Sequence, residues 1–530
     1  MGCAGEVGVA KKAVIIGTGA GGLMAAASLA QSGYEVVALE RAKQLGGYLN
    51  PFARKHFHFD PGVHYVGQCR PGELIHRVLR SVGVDAGELF AEMDRDGFDV
   101  LRFPDFEMRI CAGLDAYQER LEETFEEDGR DIARYFDLLR LVRDLMSGRR
   151  PRQLASWKAA PSLLRIRGTW GQLLEGMIRN PKLRAVLAGQ CGDIGLPPSR
   201  APAFLGLGLT LHFAEGSYFP RGGSGALRDA LVDSASAHGA VFRRRAEVTK
   251  IDVHDGAVRA VELASGERFD ADVVVSAIDP TLTYGSLIDP SHLPSRILEK
   301  THRTRASVGS VCIFLGMRRD LREHGLGAFN VWDYPSWDLD AAYGDIIDGQ
   351  VPREWPFFLS PNSLKDDTGS MAPEGCTTLE VVTLAPHAPF AKWEGHKSFQ
   401  RGDEYVGFKE KIADSVLASV EKRWPGLVGD VEIHDIATPV TNTHYVNAPA
   451  GSIYGPAATP DQFGLNSFRP WTPVKGLVLA GAGTLGPGVA TCLASGIAAA
   501  KVVTRAERQR RGFLSLARPE RLLRATVGAF

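Results

Sequence analysis

One stretch near the N-terminus restricts the fold more than any other. Ala13-Val14-Ile15-Ile16 is a short β-type apolar run, followed at once by Gly17-Thr18-Gly19-Ala20-Gly21-Gly22. Leu23, Ala26, Ala27 and Leu29 recur at helical spacing until Gly33, and Val36-Val37-Ala38-Leu39 then reads as a second strand ending at Glu40. Strand, glycine loop, helix, second strand and terminal acid fill about 28 residues, the span of a dinucleotide-binding β-α-β unit. Gly17 permits the tight turn, Gly19 lets backbone approach a pyrophosphate, and Gly22 allows close helix–strand packing. The helix N-terminus at Ala20 and Gly21 offers phosphates free N–H groups and a partial positive charge. Glu40 accepts from ribose hydroxyls and repels a 2′-phosphate, which points away from NADP.

Arg41 follows the acid, and Gly46-Gly47 begin five residues beyond it. Acid, base and glycine pair in this order resemble the extended fingerprint of FAD-containing oxidoreductases of the glutathione-reductase-like type, so FAD is the cofactor implied. Leu477-Val478-Leu479-Ala480 then runs into a second GxGxxG, Gly481-Ala482-Gly483-Thr484-Leu485-Gly486. A second nucleotide site would need a strand before Glu507, but the helical pattern Val489 to Val503 runs straight into Arg505 to Arg511. The stretch reads instead as a C-terminal flavin segment, with Gly481, Ala482, Thr484, Gly488 and Val489 at the cofactor. Its helix N-terminus would favour negative charge on the pyrimidine side of reduced flavin.

Length and charge bound the rest. The 530 residues can bury more than one core, and 61 Lys plus Arg against 62 Asp plus Glu exclude an all-over basic coat for nucleic acid. Two segments depart from neutrality: 140–184 carries a net +9 and 505–530 a net +5. The seven cysteines form no CxxC pair, which suits a reducing cytoplasm rather than a disulfide framework. Met1-Gly2-Cys3 is followed by Glu6 where a myristoylation signal has Ser or Thr, and no apolar h-region follows the start. Gly476 to Ala500 is uncharged and long enough to span a bilayer, but its glycines and Pro487 make it a strand, a loop and a helix.

Further motifs carry a more specific likeness. Phe59-Asp60-Pro61-Gly62-Val63-His64-Tyr65-Val66-Gly67, Tyr218 to Leu227, Glu247 to Ile251, Val273 to Ala277, Ala372 to Gly375, Thr438-Pro439, Gly451 and Tyr454-Gly455 are the residues concerned. On these the chain resembles the phytoene desaturase, carotenoid isomerase and retinol saturase superfamily of FAD enzymes, nearest its retinol-saturase-like branch. The resemblance implies an α/β fold with a discontinuous Rossmann-type FAD domain (1–70, 214–290 and 431–504). A mixed α+β substrate domain (71–213 and 291–430) and a basic tail (505–530) complete it. It also implies backbone contact from Val248 to adenine and a strand returning to the dinucleotide at Ala277. Where many relatives have Asp, this chain has Ala482, so a carboxylate contact to the cofactor is missing there.

The activity so implied is oxidation or reduction of carbon–carbon bonds in an apolar polyene, carotenoid-like, retinoid-like or other lipid, with an external electron carrier or quinone. Alternatives are flavin-dependent cis–trans isomerisation without net redox, an amine-oxidase-like enzyme, and a non-catalytic binding protein such as the Rab GDP-dissociation inhibitors. His64 and Tyr65 are the candidate proton donors near flavin. His212 and Glu215, ahead of the Gly222 loop, are further candidates. His56, His58 and Asp60 can be drawn as a metal set, but they lack a further spaced ligand and no metal is expected. Trp332, Tyr334, Trp337, Tyr343, Trp355, Phe357 and Phe358 suit either a polyene tunnel or a core. Leu163, Ile166, Trp170, Leu173, Leu174, Met177 and Ile178 form a stripe flanked by Arg165, Arg167 and Arg179, the pattern of a helix lying on a membrane surface. With the tail, this suggests a cytoplasmic enzyme peripheral on the inner face of a membrane.

Overall fold

The chain is described by a computed structural model covering residues 10–146 and 166–516, with side chains up to 506. Its organising element is a parallel sheet in the order Val241–Arg244, Glu35–Glu40, Lys12–Ile16, Val273–Ser276, Leu477–Leu479. Ile16 pairs with Leu39 on one side and Ser276 on the other, so the strands end together at Gly17, Glu40 and Ala277. Ligands of open α/β sheets bind outside such carboxyl ends. Past the exposed Lys12, Ala13 to Ile16 are apolar without alternation because helices and the β-layer bury both faces of the strand. Ala20–Gln31 packs on one side with the C-terminal helix Val489–Leu516 beside it, close enough that a Cβ on Gly496 would stand 2.4 Å from the Gly21 carbonyl oxygen. The three-stranded antiparallel sheet Val248–His254, Ala257–Leu263, Arg268–Asp270 covers the other side, turning at Asp255-Gly256 with both residues at positive φ.

A second body is built on a seven-stranded sheet: Val431–Ala437, Gly309–Met317, Thr377–Ala385, Phe357–Ser360, Asn330–Asp333, Asp99–Phe103, Phe106–Ile110. Every pairing is antiparallel except that of Asn330–Asp333 with Asp99–Phe103. Helices Leu114–Thr124, Gly129–Met146, Trp170–Glu175 and Ala203–His212 join its core. Two short pieces stitch the bodies together. The hairpin Phe52–Arg54 and Phe57–Phe59 sets Phe52 and Phe59 against Phe314, at ring centroids 4.9 and 5.6 Å away. Val66–Gly67 pairs with Ser217–Pro220, which also pairs with Phe90–Glu92.

Within 71–213, Asp99–Phe103 and Phe106–Ile110 form a hairpin at Pro104-Asp105, a turn dipeptide followed by the alternating segment Phe106–Ile110. Two expectations change. Val431–Ala437 pairs with Gly309–Met317, so we place the return to the FAD domain after Ala437 rather than at 431. The Trp170 stripe faces inward. Trp170, Leu173, Leu174, Met177 and Ile178 are at most 4% exposed, and a Cβ on Gly206 would lie 2.2 Å from the Trp170 ring. Amphipathicity alone does not tell a membrane from a protein core, and here the apolar face meets helix Ala203–His212. Leu163 and Arg165 lie outside the described residues. The uncharged run forms the strand Leu477–Leu479 and then the helix at Val489. The segment Val489–Ala506 is apolar and long enough to cross a membrane, and it is packed against Ala20–Gln31.

Candidate functional site

A single cavity of about 680 Å³ runs from the ends of the parallel strands into the second body. Glycine shapes its first part. Gly17 (φ +86°) turns the chain out of the first strand and donates its N–H to Leu39 O at 2.9 Å. A Cβ on Gly21 would lie 2.8 Å from Gly481 N, and one on Gly47 3.4 Å from Gly19 Cα. At Gly19 the Cβ direction meets nothing within 4 Å, since it opens on the groove. Gly22 does not line the cavity and does what its position in the fingerprint predicts, letting the helix touch Gly17 and Ala277. Glu40 is pinned at the groove: its carboxylate accepts from Thr18 N (3.0 Å), Thr18 Oγ1 (2.6 Å) and Ala42 N (2.9 Å). Thr18 Oγ1 in turn accepts from Gly46 N at 3.1 Å. Thr18, a free position in the GxGxxG pattern, is thus what couples the acid to the Gly46-Gly47 turn. Arg41 donates to His444 O at 2.8 Å.

This cradle fits FAD. Ala20, Gly21, Gly46 and Gly47 line the part of the groove where a pyrophosphate would be held, and Glu40 lines it where it would meet a ribose. Val248 and Ala277 line the groove, as do Gly481, Ala482, Gly488 and Val489 at the flavin end. Thr484 departs from expectation. Buried off the cavity, it donates to Gly481 O at 2.8 Å and closes the turn. A carboxylate the sequence did not single out lies near Ala482. Asp279 lines the cavity with Oδ2 3.8 Å from where a Gly455 Cβ would stand, beside Ala482, and burial raises its pKa.

Beyond the flavin end the lining turns aromatic and aliphatic: Trp332, Tyr343, Phe357, Phe358, Val382 and Leu384. The aromatic segment therefore divides. Tyr334 and Trp355 are core residues, and Trp337 stacks on Phe103 at 4.3 Å. Of the two proposed proton donors, only His64 reaches the cavity, with Nδ1 3.1 Å from buried Glu380 Oε2. Tyr65 lies behind it, stacked on Phe213 at 4.4 Å, its hydroxyl between Asp193 and Asp99. Asp193 lines the cavity in its place, another residue the sequence did not flag.

A connected polar network underlies this wall. Lys365 Nζ donates to His64 O (2.7 Å), Asn330 Oδ1 (2.9 Å) and Ser360 Oγ (2.6 Å). Asn330 donates to Asp99 at 3.0 Å. Glu380 accepts from Asp60 N at 2.8 Å, while Asp60 accepts from Ser224 N and Oγ at the start of helix Ser224–Ala237. Burial pushes Asp60 up to about 7. The Tyr218 to Leu227 segment thus reaches the site through Asp60 and lines none of the cavity. His212 and Glu215 are structural. His212 Nε2 accepts from Gly67 N at 2.9 Å with burial pushing it down to about 4, and Glu215 pairs with Arg70 at the surface. His56 and His58 face outward while Asp60 turns in, so the three do not converge.

Fold and groove together define a dinucleotide-binding flavoprotein oxidoreductase, with FAD as cofactor. The chain belongs to the flavin containing amine oxidoreductase family, whose model matches residues 20–504. It is 27% identical to the all-trans-retinol 13,14-reductase of Danio rerio, over 93% of this chain and 85% of that protein. It is 28% identical to the zeta-carotene-forming phytoene desaturase of Myxococcus xanthus, over 92% of each. Prolycopene isomerase 2 of an Oncidium hybrid cultivar matches at 27% over 86% of this chain and 77% of the relative. Among solved structures, an oxidoreductase from Methanosarcina mazei superposes with TM-score 0.64 at 17% identity, covering 92% and 99% of the two chains. Putrescine oxidase gives 0.61 at 15%, covering 94% and 99%. These two likenesses are likenesses of fold.

Proposed function

We propose that this chain is an FAD-dependent oxidoreductase that saturates or desaturates carbon–carbon bonds of an apolar polyene. The observation that carries the proposal is the continuity of the cavity: the glycine groove opens directly into a chamber walled by Trp332, Tyr343, Phe357, Phe358 and Leu384. Apolar walls bind a polyene by excluding water, and a site without water protects a hydride transfer from side reactions. Bound FAD supplies the two-electron chemistry. The named relatives, a retinol reductase, a phytoene desaturase and a prolycopene isomerase, are consistent with a polyene and favour it over an amine. Anaerobic incubation of dithionite-reduced holoenzyme with retinoids and carotenoids, followed by mass spectrometry, tests this. Product heavier by two hydrogens from the reduced enzyme, or lighter by two from the oxidised enzyme, is the expected result. Unchanged mass with altered retention would make the enzyme an isomerase, and peroxide formed only with amines would overturn the polyene reading.

Electrons reach or leave the site through an external carrier or quinone in this reading. Peripheral membrane contact would rest on 140–184 and 505–530, of which 147–165 and 517–530 lie outside the described residues. Beside the first, Leu145, Met146 and Phe204 stand 42, 55 and 44% exposed. Co-sedimentation with anionic liposomes that weakens as salt rises is the expected behaviour. Binding indifferent to both lipid charge and salt would count against it.

A further inference from the structure

One hydroxyl hydrogen stands between two carboxyl groups behind the chamber wall. Tyr65 Oη lies 2.6 Å from Asp193 Oδ2 and 3.0 Å from Asp99 Oδ2. A phenol has one hydrogen to donate, and a carboxylate has none. With both aspartates ionised, one of these two contacts would set oxygen against oxygen with nothing between. One carboxyl therefore carries its own proton.

The neighbours decide which. Asp99 accepts from Asn330 Nδ2 (3.0 Å), Gln190 Nε2 (2.6 Å) and Trp332 Nε1 (3.3 Å), three donors that stabilise an anion. The Asp193 carboxyl has no N–H donor among the described residues. The titratable groups that face it are Tyr65, Asp99, Cys191, Tyr334, Tyr343 and Tyr454, none of them cationic. Burial, the leading cause in both, raises Asp193 to about 8 and Asp99 only to about 6. The arrangement is Asp193–COOH to Tyr65 oxygen, and Tyr65 O–H to Asp99 carboxylate.

Building on the redox reading above, we propose that Asp193 is the acid that protonates the substrate carbon, and that Tyr65 is its positioning residue. Saturation of a C=C bond forms two C–H bonds. One carbon takes a hydride, for which the reductant is two-electron-reduced flavin, and the other takes the Asp193 proton as its O–H bond breaks. The carboxylate left behind is stabilised when the Tyr65 hydrogen turns from Asp99 towards it. Asp99 keeps its three N–H donors throughout. In the reverse direction the Asp193 carboxylate accepts the proton that a desaturation releases.

The first measurement needs neither cofactor nor substrate. Infrared spectra of the apoprotein through a pH titration should show a protonated-carboxyl C=O component that titrates near pH 8, above the Asp60 component near 7, and that is absent from Asp193→Asn. In Tyr65→Phe that band should titrate at higher pH, because a hydrogen bond that stabilises the anion is gone. In the holoenzyme, Asp193→Asn should slow polyene reduction by about 10²–10⁴-fold, with flavin content and dithionite reduction unchanged. A difference spectrum in which the component titrating near pH 8 survives in Asp193→Asn, or a variant that reduces polyene at the wild-type rate, overturns the assignment. Should the wild type convert no polyene, the redox reading fails and the acid role with it, while the infrared band still locates the proton.

Discussion

A Gly22→Ala variant is expected to purify colourless and to unfold well below the wild type. A Cβ at this position would lie 2.1 Å from the Gly17 carbonyl oxygen, 3.1 Å from its carbon and 3.1 Å from Ala277 Cβ. The closest of these is a backbone oxygen, and Ala277 Cβ has no rotamer to move, so no side-chain rotation relieves the clash. The helix Ala20–Gln31 must lift from the sheet, loosening Leu23, Met24 and Ala26, all fully buried. Over-packing a closed interior costs about 1–3 kcal/mol, and a backbone clash stands at the upper end. The same shift pulls the N–H groups of Ala20 and Gly21 away from the phosphate position. Gly19→Ala is the informative companion, because its Cβ direction is open and points into the groove. That variant should melt like wild-type apoprotein and bind flavin weakly. Flavin absorbance per mole of protein and melting of the apo forms measure both, and a yellow Gly22→Ala protein with wild-type stability contradicts the packing argument.

These two glycines also show what a sequence can disclose. The cofactor groove was legible because its parts are local: strand, turn, helix and acid within one short segment, each forced by backbone geometry. The C-terminal segment was legible for the same reason, apart from Thr484, whose hydroxyl turned to Gly481 O instead of the groove. The chemistry-bearing wall was not. Tyr65 and Asp193 are 128 residues apart, and Asp99 and Asn330 are 231 apart. No spacing rule connects them, because they meet only when the seven-stranded sheet forms. Trp170 shows a different limit. Its helical stripe is apolar, but periodicity reports that a face is buried without naming what covers it. The hairpin Asp99–Phe103 and Phe106–Ile110 carries a partial signal, the Pro104-Asp105 turn and the alternation of Phe106–Ile110 after it, but neither points to Asp99.

The network beneath the wall leads to the second large effect. Lys365 is 3% exposed, makes three hydrogen bonds through Nζ, and lies 4.8 Å over the Phe219 ring. Methionine matches its length and offers no donor. Lys365→Met should therefore leave His64 O, Asn330 Oδ1 and Ser360 Oγ without this donor, beside the charges of Glu380 and Asp99. Leaving a buried acceptor without its donor costs about 1–3 kcal/mol per group. Because His64 O anchors a residue that lines the cavity, flavin affinity should fall with stability. The pH dependence gives the effect a signature. Burial lowers Lys365 from 10.5 to about 7, against the opposing pull of Glu380, Asp99 and Asp60. Between those values the unfolded chain keeps the lysine proton and the folded chain releases it. Stability then rises with pH wherever the unfolded state binds more protons. The wild type gains this contribution across the window and Lys365→Met does not. The gap between them should widen from about pH 7 to about pH 10, as read from urea unfolding of both proteins at each pH. A gap that stays constant or narrows would mean that Lys365 keeps its proton in the folded protein, and that the carboxylates around it outweigh its burial.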